Sequence, residues 1–231
     1  MSPVLELTAA AAERAAVDLE DATAEEIVAW AVQTFGARVC VTASMTDSVV
    51  IDLVSRAAPG VDVLFLDTGY HFAETLGTRD AVAATYPVNL LSITPVRTVA
   101  EQDAMHGPRL YERDPDLCCA LRKVEPLERA LRDYDAWFTG LRRDESPSRA
   151  TTPVVAWDEA RGKVKVNPIA GWTQDDVESY VATHGVLINP LLQDGYASVG
   201  CAPCTRRVAP GEGTRDGRWS GLTKVECGIH T

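Results

Sequence analysis

Positive charge is scarce in this chain. It carries 22 lysines and arginines against 33 aspartates and glutamates, a formal net charge of −11. Long-range attraction to phosphate polymers or anionic lipid then has the wrong sign, which excludes nucleic acid and membrane as main partners. No apolar run is long enough to span a bilayer. A basic region ahead of an apolar stretch is missing at the start too, which reads Met1-Ser2-Pro3-Val4-Leu5-Glu6. No secretory signal is read there, and a cytoplasmic location is expected. Thiols stay reduced in that compartment, so clustered cysteines stand for metal binding or catalysis rather than a disulfide framework. Repeats and low-complexity linkers are absent as well.

What remains is a chain of 231 residues, 46% apolar, with enough material for one sizeable core. Thr23-Ala24-Glu25-Glu26 has capping-box spacing, and Ile27, Val28, Ala31 and Phe35 follow at helical intervals up to Gly36. The Ala-rich start before it reads as a surface helix. Strands are expected at 38–42, 61–66, 88–93 and 135–139, with helices at 47–58, 73–86 and 117–132, and a further helix capped by Thr173. This alternation predicts an α/β fold with a mostly parallel, Rossmann-like sheet and helices on both faces. We read one domain over 1–231: a helical segment at 1–36, an α/β core at 38–195, and a loop and tail at 196–231.

Cysteine placement carries the most chemistry. Cys118 and Cys119 are adjacent, Cys201 and Cys204 form a Cys-x-x-Cys, and Cys227 stands alone near the end. Four thiols in two close pairs hold either zinc or an iron–sulfur cluster. The adjacency of Cys118 and Cys119, with Arg122 and Lys123 beside them to offset thiolate charge, favours the cluster. Cys227 is left over to react. Gly228 gives its segment freedom, His230 is three residues away, and nearby arginines favour the thiolate. Cys40, inside a strand, reads as a buried apolar residue.

Ligands of open parallel sheets sit beyond the carboxyl ends of the strands. Three loops fall there. The hydroxyls and amides around Ser44, at a helix N-terminus, suit a nucleotide, although an ordinary helix cap has the same composition. Asp67-Thr68-Gly69 can meet a base or ribose, or form a plain turn. Arg142-Arg143 offers guanidinium forks for phosphate or sulfate oxygens. The tail adds Arg206, Arg207, Arg215, Arg218 and Lys224 against three acids, so it is locally positive within an acidic chain. His71, His106 and His184 show no ligand spacing and read as structural.

Taken in order, these pieces resemble the assimilatory adenylyl-sulfate (APS) reductases, within the wider phosphoadenylyl-sulfate (PAPS) reductase family. The likeness runs from about Arg38 onward. It rests on Leu66-Asp-Thr-Gly69, Cys118-Cys-Ala-Leu-Arg-Lys-Val-Glu-Pro-Leu127, Thr139-Gly-Leu-Arg-Arg-Asp-Glu-Ser-Pro147, Gly200-Cys-Ala-Pro-Cys-Thr-Arg206 and Glu226-Cys-Gly-Ile-His230. The resemblance implies an adenine-nucleotide α-hydrolase-like fold and a [4Fe–4S] cluster on Cys118, Cys119, Cys201 and Cys204. It implies adenylyl sulfate as substrate, thioredoxin as electron donor, and Cys227 as nucleophile, with room for a homo-oligomer.

Charge then distributes the roles. Lys123 would link cluster and sulfate, and His230 would orient or activate the thiol. Arg215, Arg218 and one of Arg142 or Arg143 would hold phosphate and sulfate, and Ser44, Asp67, Thr68 and Gly69 the nucleoside. The likeness fails at one point: Ala43, Ser44 and Met45 carry side chains where the ancestral phosphate loop is glycine-rich. They would crowd a pyrophosphate, which argues against ATP hydrolysis. Three rivals stand beside this reading. One is a PAPS reductase with the same thiol chemistry, another a tRNA-thiolating ATP pyrophosphatase, and the third a zinc-binding module without activity.

Overall fold

The computed structural model describes residues 8–230. In chain order its principal helices are α1 (Ala9–Asp18), α2 (Ala24–Phe35), α3 (Val49–Ala57), α4 (Ala73–Thr85), α5 (Val99–His106), α6 (Leu110–Arg113), α7 (Pro115–Cys119), α8 (Glu125–Ala130) and α9 (Gln174–His184). The strands are β1 (Val39–Thr42), β2 (Asp62–Leu66), β3 (Asn89–Ile93), β4 (Ala136–Phe138), β5 (Val155–Asp158) and β6 (Lys163–Val166). They form one sheet in the order β3-β2-β1-β4-β6-β5. Every neighbouring pair is parallel except β5 with β6. The expected α/β architecture is therefore present.

Side chains on β1 alternate between two cores, as a strand covered on both faces requires. Val39 and Val41 join the core formed with α2, α3 and β4's Phe138. Cys40 points the other way, to Leu64, Leu127, Leu131 and Trp137. It is fully buried, and burial pushes its thiol well above the ordinary range, so it behaves as an apolar residue. Three helices begin with reciprocal capping boxes, at Thr23, Thr98 and Thr173. Each satisfies two amides that the helix start would leave bare.

The structure departs from the sequence reading in three places. The single helix expected at 117–132 is interrupted: α7 stops at Cys119, a π-turn spans Ala120–Val124, and α8 follows. Pro126 supplies the reason, because it has no N–H for the preceding turn and its ring clashes with a regular α ladder. The β5–β6 hairpin was not foreseen, nor was α5, although Thr98-x-x-Glu101 is a capping box in plain view. The Ala-rich α1 is more than a surface helix, since Ala12 and Ala15 are buried in the main core. No helix among the described residues is long and apolar enough to cross a membrane.

Candidate active site

The chain moves from β1 to β2 and β3 on one side of the sheet, then to β4 on the other. That reversal leaves a crevice beyond the carboxyl ends of β1 and β4. A cavity of about 720 Å³ opens there, with Ser44, Leu66, Lys123, Arg142, Arg215 and Cys227 on its walls. Arg218, His71 and His230 line it too. The loop after β1 is held by Asn189, whose Nδ2 donates to the Met45 carbonyl at 3.0 Å. Met45 adopts a positive φ of 61° with its side chain fully buried, so the loop is strained where a glycine would be relaxed.

Beside this cavity lies a smaller, apolar one lined by Cys118, Cys119, Cys201 and Cys204, together with Tyr70 and Trp219. Two distant segments thus deliver four thiols to one place. Burial raises Cys118 to about 12, with further lifts from Cys119, Cys201 and Cys204 in turn. Burial and then Cys201 raise Cys204 to about 11. Among the described residues, no group of three or more such donors converges on a point as a single metal ion would require. The π-turn is what aims the neighbouring cations. Arg122 turns inward, donating to the Thr68 and Arg97 carbonyls and to Gln102. Lys123 lines both this small cavity and the large one. Burial would lower Lys123, but the thiols of Cys201 and Cys227 outweigh it and hold the ammonium above its ordinary value.

Cys227 is 7% exposed and packs with Cys119 and Trp219 in a separate apolar cluster. The nucleophile expected from the sequence and one of the expected ligands are therefore neighbours. Trp219 was not anticipated. It is buried, has a positive φ of 46°, and donates its amide to the Cys204 carbonyl at 3.0 Å. Arg215, Arg218 and Lys224 surround its ring, with Arg218 nearest at 4.6 Å. Among the described residues Arg142 Nη1, Arg215 Nε and Arg218 Nε are buried without a hydrogen-bond partner. Three guanidiniums on one cavity with donors to spare make an anion site of high field.

The remaining expected residues divide. Arg142 lines the cavity and is fixed by Gln174, its Nη2 donating to Oε1 at 2.8 Å. Arg143 does not line it: its Nη1 and Nη2 grip Glu20 at 2.6 and 2.9 Å, and its Nε donates to the Thr152 carbonyl. Of the pair, only Arg142 reaches the cavity. Asp67, Thr68 and Gly69 do not line the large cavity, and of the three only Thr68 meets a thiol. Thr68 Oγ1 shares a hydrogen bond with Cys201 Sγ at 3.3 Å, and the Gly69 amide donates to Asp67 Oδ1 at 3.1 Å. Gly69 has φ 73°, and a side chain there would press on Val99 and Arg122. Only Leu66 of that motif reaches the cavity.

His230 stacks on Trp137, planes 3° apart, and its amide donates to the Cys227 carbonyl at 3.4 Å. Among the described residues no hydrogen bond joins its ring to the Cys227 Sγ. His71, read as structural, anchors the Leu66 carbonyl at 2.9 Å and also faces the cavity.

Residues 36–207 match the phosphoadenosine phosphosulfate reductase domain. The chain is 69% identical over 221 residues to the adenosine 5′-phosphosulfate reductase of Streptomyces coelicolor, covering 96% of this chain and 94% of that one. It is 55% identical over 219 residues to the enzyme of that name in Mycolicibacterium smegmatis, covering 95% and 93%. A crystal structure of phosphoadenylyl-sulfate reductase from Candida auris, as a phosphate complex, superposes with a TM-score of 0.72 at 32% identity. That likeness covers 84% of this chain and 96% of the other. An FMN adenylyltransferase from Candida glabrata, 14% identical with a TM-score of 0.56, shares the fold alone. By domain match and by identity across nearly its whole length, the chain belongs to the phosphoadenosine phosphosulfate reductase family.

Proposed function

We infer that the chain is an adenylyl-sulfate reductase, cleaving adenylyl sulfate to sulfite and AMP through a sulfur-bound intermediate on Cys227. One observation carries the reading: Cys227 shares a cavity with Lys123, Arg142, Arg215 and Arg218. Thiolate and phosphosulfate repel one another, and cations fixed around the point of contact offset that repulsion most strongly as the two approach. In the first step Cys227 Sγ bonds to the sulfate sulfur and the S–O bond to the phosphate breaks. AMP departs with that electron pair, and the enzyme carries an S-sulfonate. In the second, a thiolate of a thioredoxin-like dithiol attacks Cys227 Sγ and sulfite leaves with the S–S pair. The second thiol of the donor then resolves the mixed disulfide and frees Cys227. Both electrons come from the donor. Leu222 and Val225, 42% and 66% exposed on the same tail, offer it apolar contact.

The donor set fits a [4Fe–4S] cluster. Four thiols ring an apolar cavity rather than a point, and Arg122 and Lys123 flank them. Cys118, Cys119, Cys201 and Cys204 would hold it, with Thr68 Oγ1 on the Cys201 sulfur. Bound there, the cluster supplies a fixed charge array that polarises the adjoining anion site. Lys123 lines both cavities, so it would stand between that array and the anion site, and Cys201 and Cys227 hold its ammonium above its ordinary value. Ser44 and the Leu66 backbone serve the nucleoside.

The test is intact-mass spectrometry of reduced, cluster-replete protein with adenylyl sulfate and no donor. The expected result is a sulfonate adduct that thioredoxin removes and Cys227→Ser cannot form. An adduct only with the 3′-phosphorylated nucleotide would move the substrate to PAPS and keep the chemistry. No adduct with either nucleotide would sink the reading.

A further inference from the structure

The tail bearing Cys227 is clamped to the body by a chain of four charges. Arg149 lies on a short turn, Pro147–Arg149, outside the tail. Its Nε and Nη2 donate to Glu226 Oε1 and Oε2 at 2.7 and 2.8 Å, a bidentate fork across 77 residues of sequence. Glu145 closes on the other side of the same guanidinium. Arg215 completes the row, its Nη2 donating to Glu226 Oε2 at 2.9 Å. Arg149 and Glu226 side chains are only 10% and 12% exposed. Burial alone would raise Glu226, but the hydrogen bonds and charges of Arg149 and Arg215 prevail and hold its carboxyl below the usual range.

Magnitudes single out this contact among those that hold the tail. Lys224 pairs with Asp116, but that carboxylate is 81% exposed, and water around one partner screens the pair. Arg161 reaches the Gly228 carbonyl only at 3.5 Å. A buried bidentate pair is different: removing one partner strands the other charge, so the geometry is kept. Glu226 immediately precedes Cys227, so fixing its carboxylate fixes where the thiol lies.

We propose that Arg149 is a positioning residue for Cys227, acting through Glu226 to seat the thiol against Cys119 and Trp219 for attack. Arg149 also lines the cavity, but its Nε, Nη1 and Nη2 are all taken up by Glu226 and Glu145, so it acts on the thiol through Glu226. The same fork sets how often the tail lifts, which the second chemical step requires because Cys227 is 7% exposed when seated. The inference rests on the reductase reading for its catalytic half. Its geometric half stands without any substrate.

The experiment uses cluster-replete protein and the variants Arg149→Met, Glu226→Gln and both together. Iodoacetamide labelling of Cys227, followed by peptide mass spectrometry, needs no substrate. Labelling is expected to rise about tenfold or more in each variant, since loss of a buried charge pair exceeds the cost of tenfold opening. Single-turnover S-sulfonate formation should fall by about the same factor with KM for adenylyl sulfate little changed. Sulfite release from preformed adduct should be as fast as in the unaltered enzyme or faster.

The double variant should be no worse than either single one, because the two act through each other. Arg149→Lys, which keeps charge but not the fork, should recover part of the effect. If Arg149→Met disturbs the body, Glu226→Gln reads the same contact from the tail. Unchanged labelling in both variants, or effects that multiply in the double variant, would overturn the proposal. No sulfonate adduct on the unaltered enzyme would instead strike the reductase reading and leave the labelling result to judge the clamp.

Discussion

Between Arg142 and Arg143 the backbone passes from extended into a 3-10 turn, and the two guanidiniums part. One meets Gln174 at the cavity, the other Glu20 on the far side. Their substitutions should separate accordingly. Arg142→Ala removes a charged donor from the anion site and should cut kcat/KM by ten- to a hundredfold, the equivalent of about 1.5–3 kcal/mol. Arg143→Ala breaks a partly exposed pair and should cost about 1 kcal/mol of stability, read by denaturant unfolding, with kcat/KM nearly unchanged. Equal losses of activity would return Arg143 to the site. Spacing within the chain could offer the Arg-Arg pair but not choose between its members, because the choice is made by residues 32 and 123 positions away. Cys118, Cys119, Cys201, Cys204 and Cys227 were legible because close pairs and a lone terminal thiol are local patterns. Arg149 and Trp219 were not. Each gains its role only from partners that the fold brings to it.

At the level of elements, strands of the parallel core and the helices capped at Thr23 and Thr173 were readable from β-branched runs and Thr-x-x-Glu or Thr-x-x-Asp spacing. The hairpin was hidden by composition. Lys163-Val164-Lys165-Val166 looks like a strand with one wet face, yet Lys165 is 8% exposed and lies 5.3 Å over the Trp137 ring. The π-turn was equally invisible, though it decides that Arg122 turns inward and Lys123 lines both cavities. The loop after β1 poses the clearest contest of magnitudes. A positive φ at Met45 costs about 1–2 kcal/mol in a residue with a side chain. Burying that side chain completely is worth more, since Met-to-Ala changes in cores cost about 2–5 kcal/mol. Met45→Gly is therefore expected to destabilise the protein by about 1–3 kcal/mol, despite relieving the backbone. A rise in the denaturation midpoint would show that strain, not packing, dominates the loop.

Across the whole molecule, an acidic chain concentrates cations under one short tail, and this makes tail opening depend on pH. His230 is held well below its ordinary value, first by burial and then by Lys165, Arg149, Arg215 and Arg161; Glu226 is the carboxylate of the same group. A base whose pKa is depressed in the seated state binds its proton more readily when the tail lifts. The seated state is thus favoured at high pH and loses ground as pH falls below the free histidine value of about 6.5. Lys165, which burial lowers to about 8, has the same sign, but its contribution changes between about 8 and 10.4 and is spent by neutral pH. Glu226, held low, loses its contribution only below the ordinary carboxylate range near pH 4.3.

Of these three groups, only His230 shifts the balance between pH 7.5 and 5.5. Hydrogen exchange of the tail amides, corrected for intrinsic rate, should show protection falling by up to about tenfold per pH unit below 6.5. His230→Asn should flatten that dependence while leaving protection of β1 and β4 untouched. A flat profile in the unaltered protein, or a slope that survives His230→Asn, would place the proton elsewhere. With that slope present, acid would lower the barrier to the donor's access and loosen the seat from which Cys227 attacks. The two half-reactions would then respond to pH with opposite sign, and single-turnover rates for each would display it.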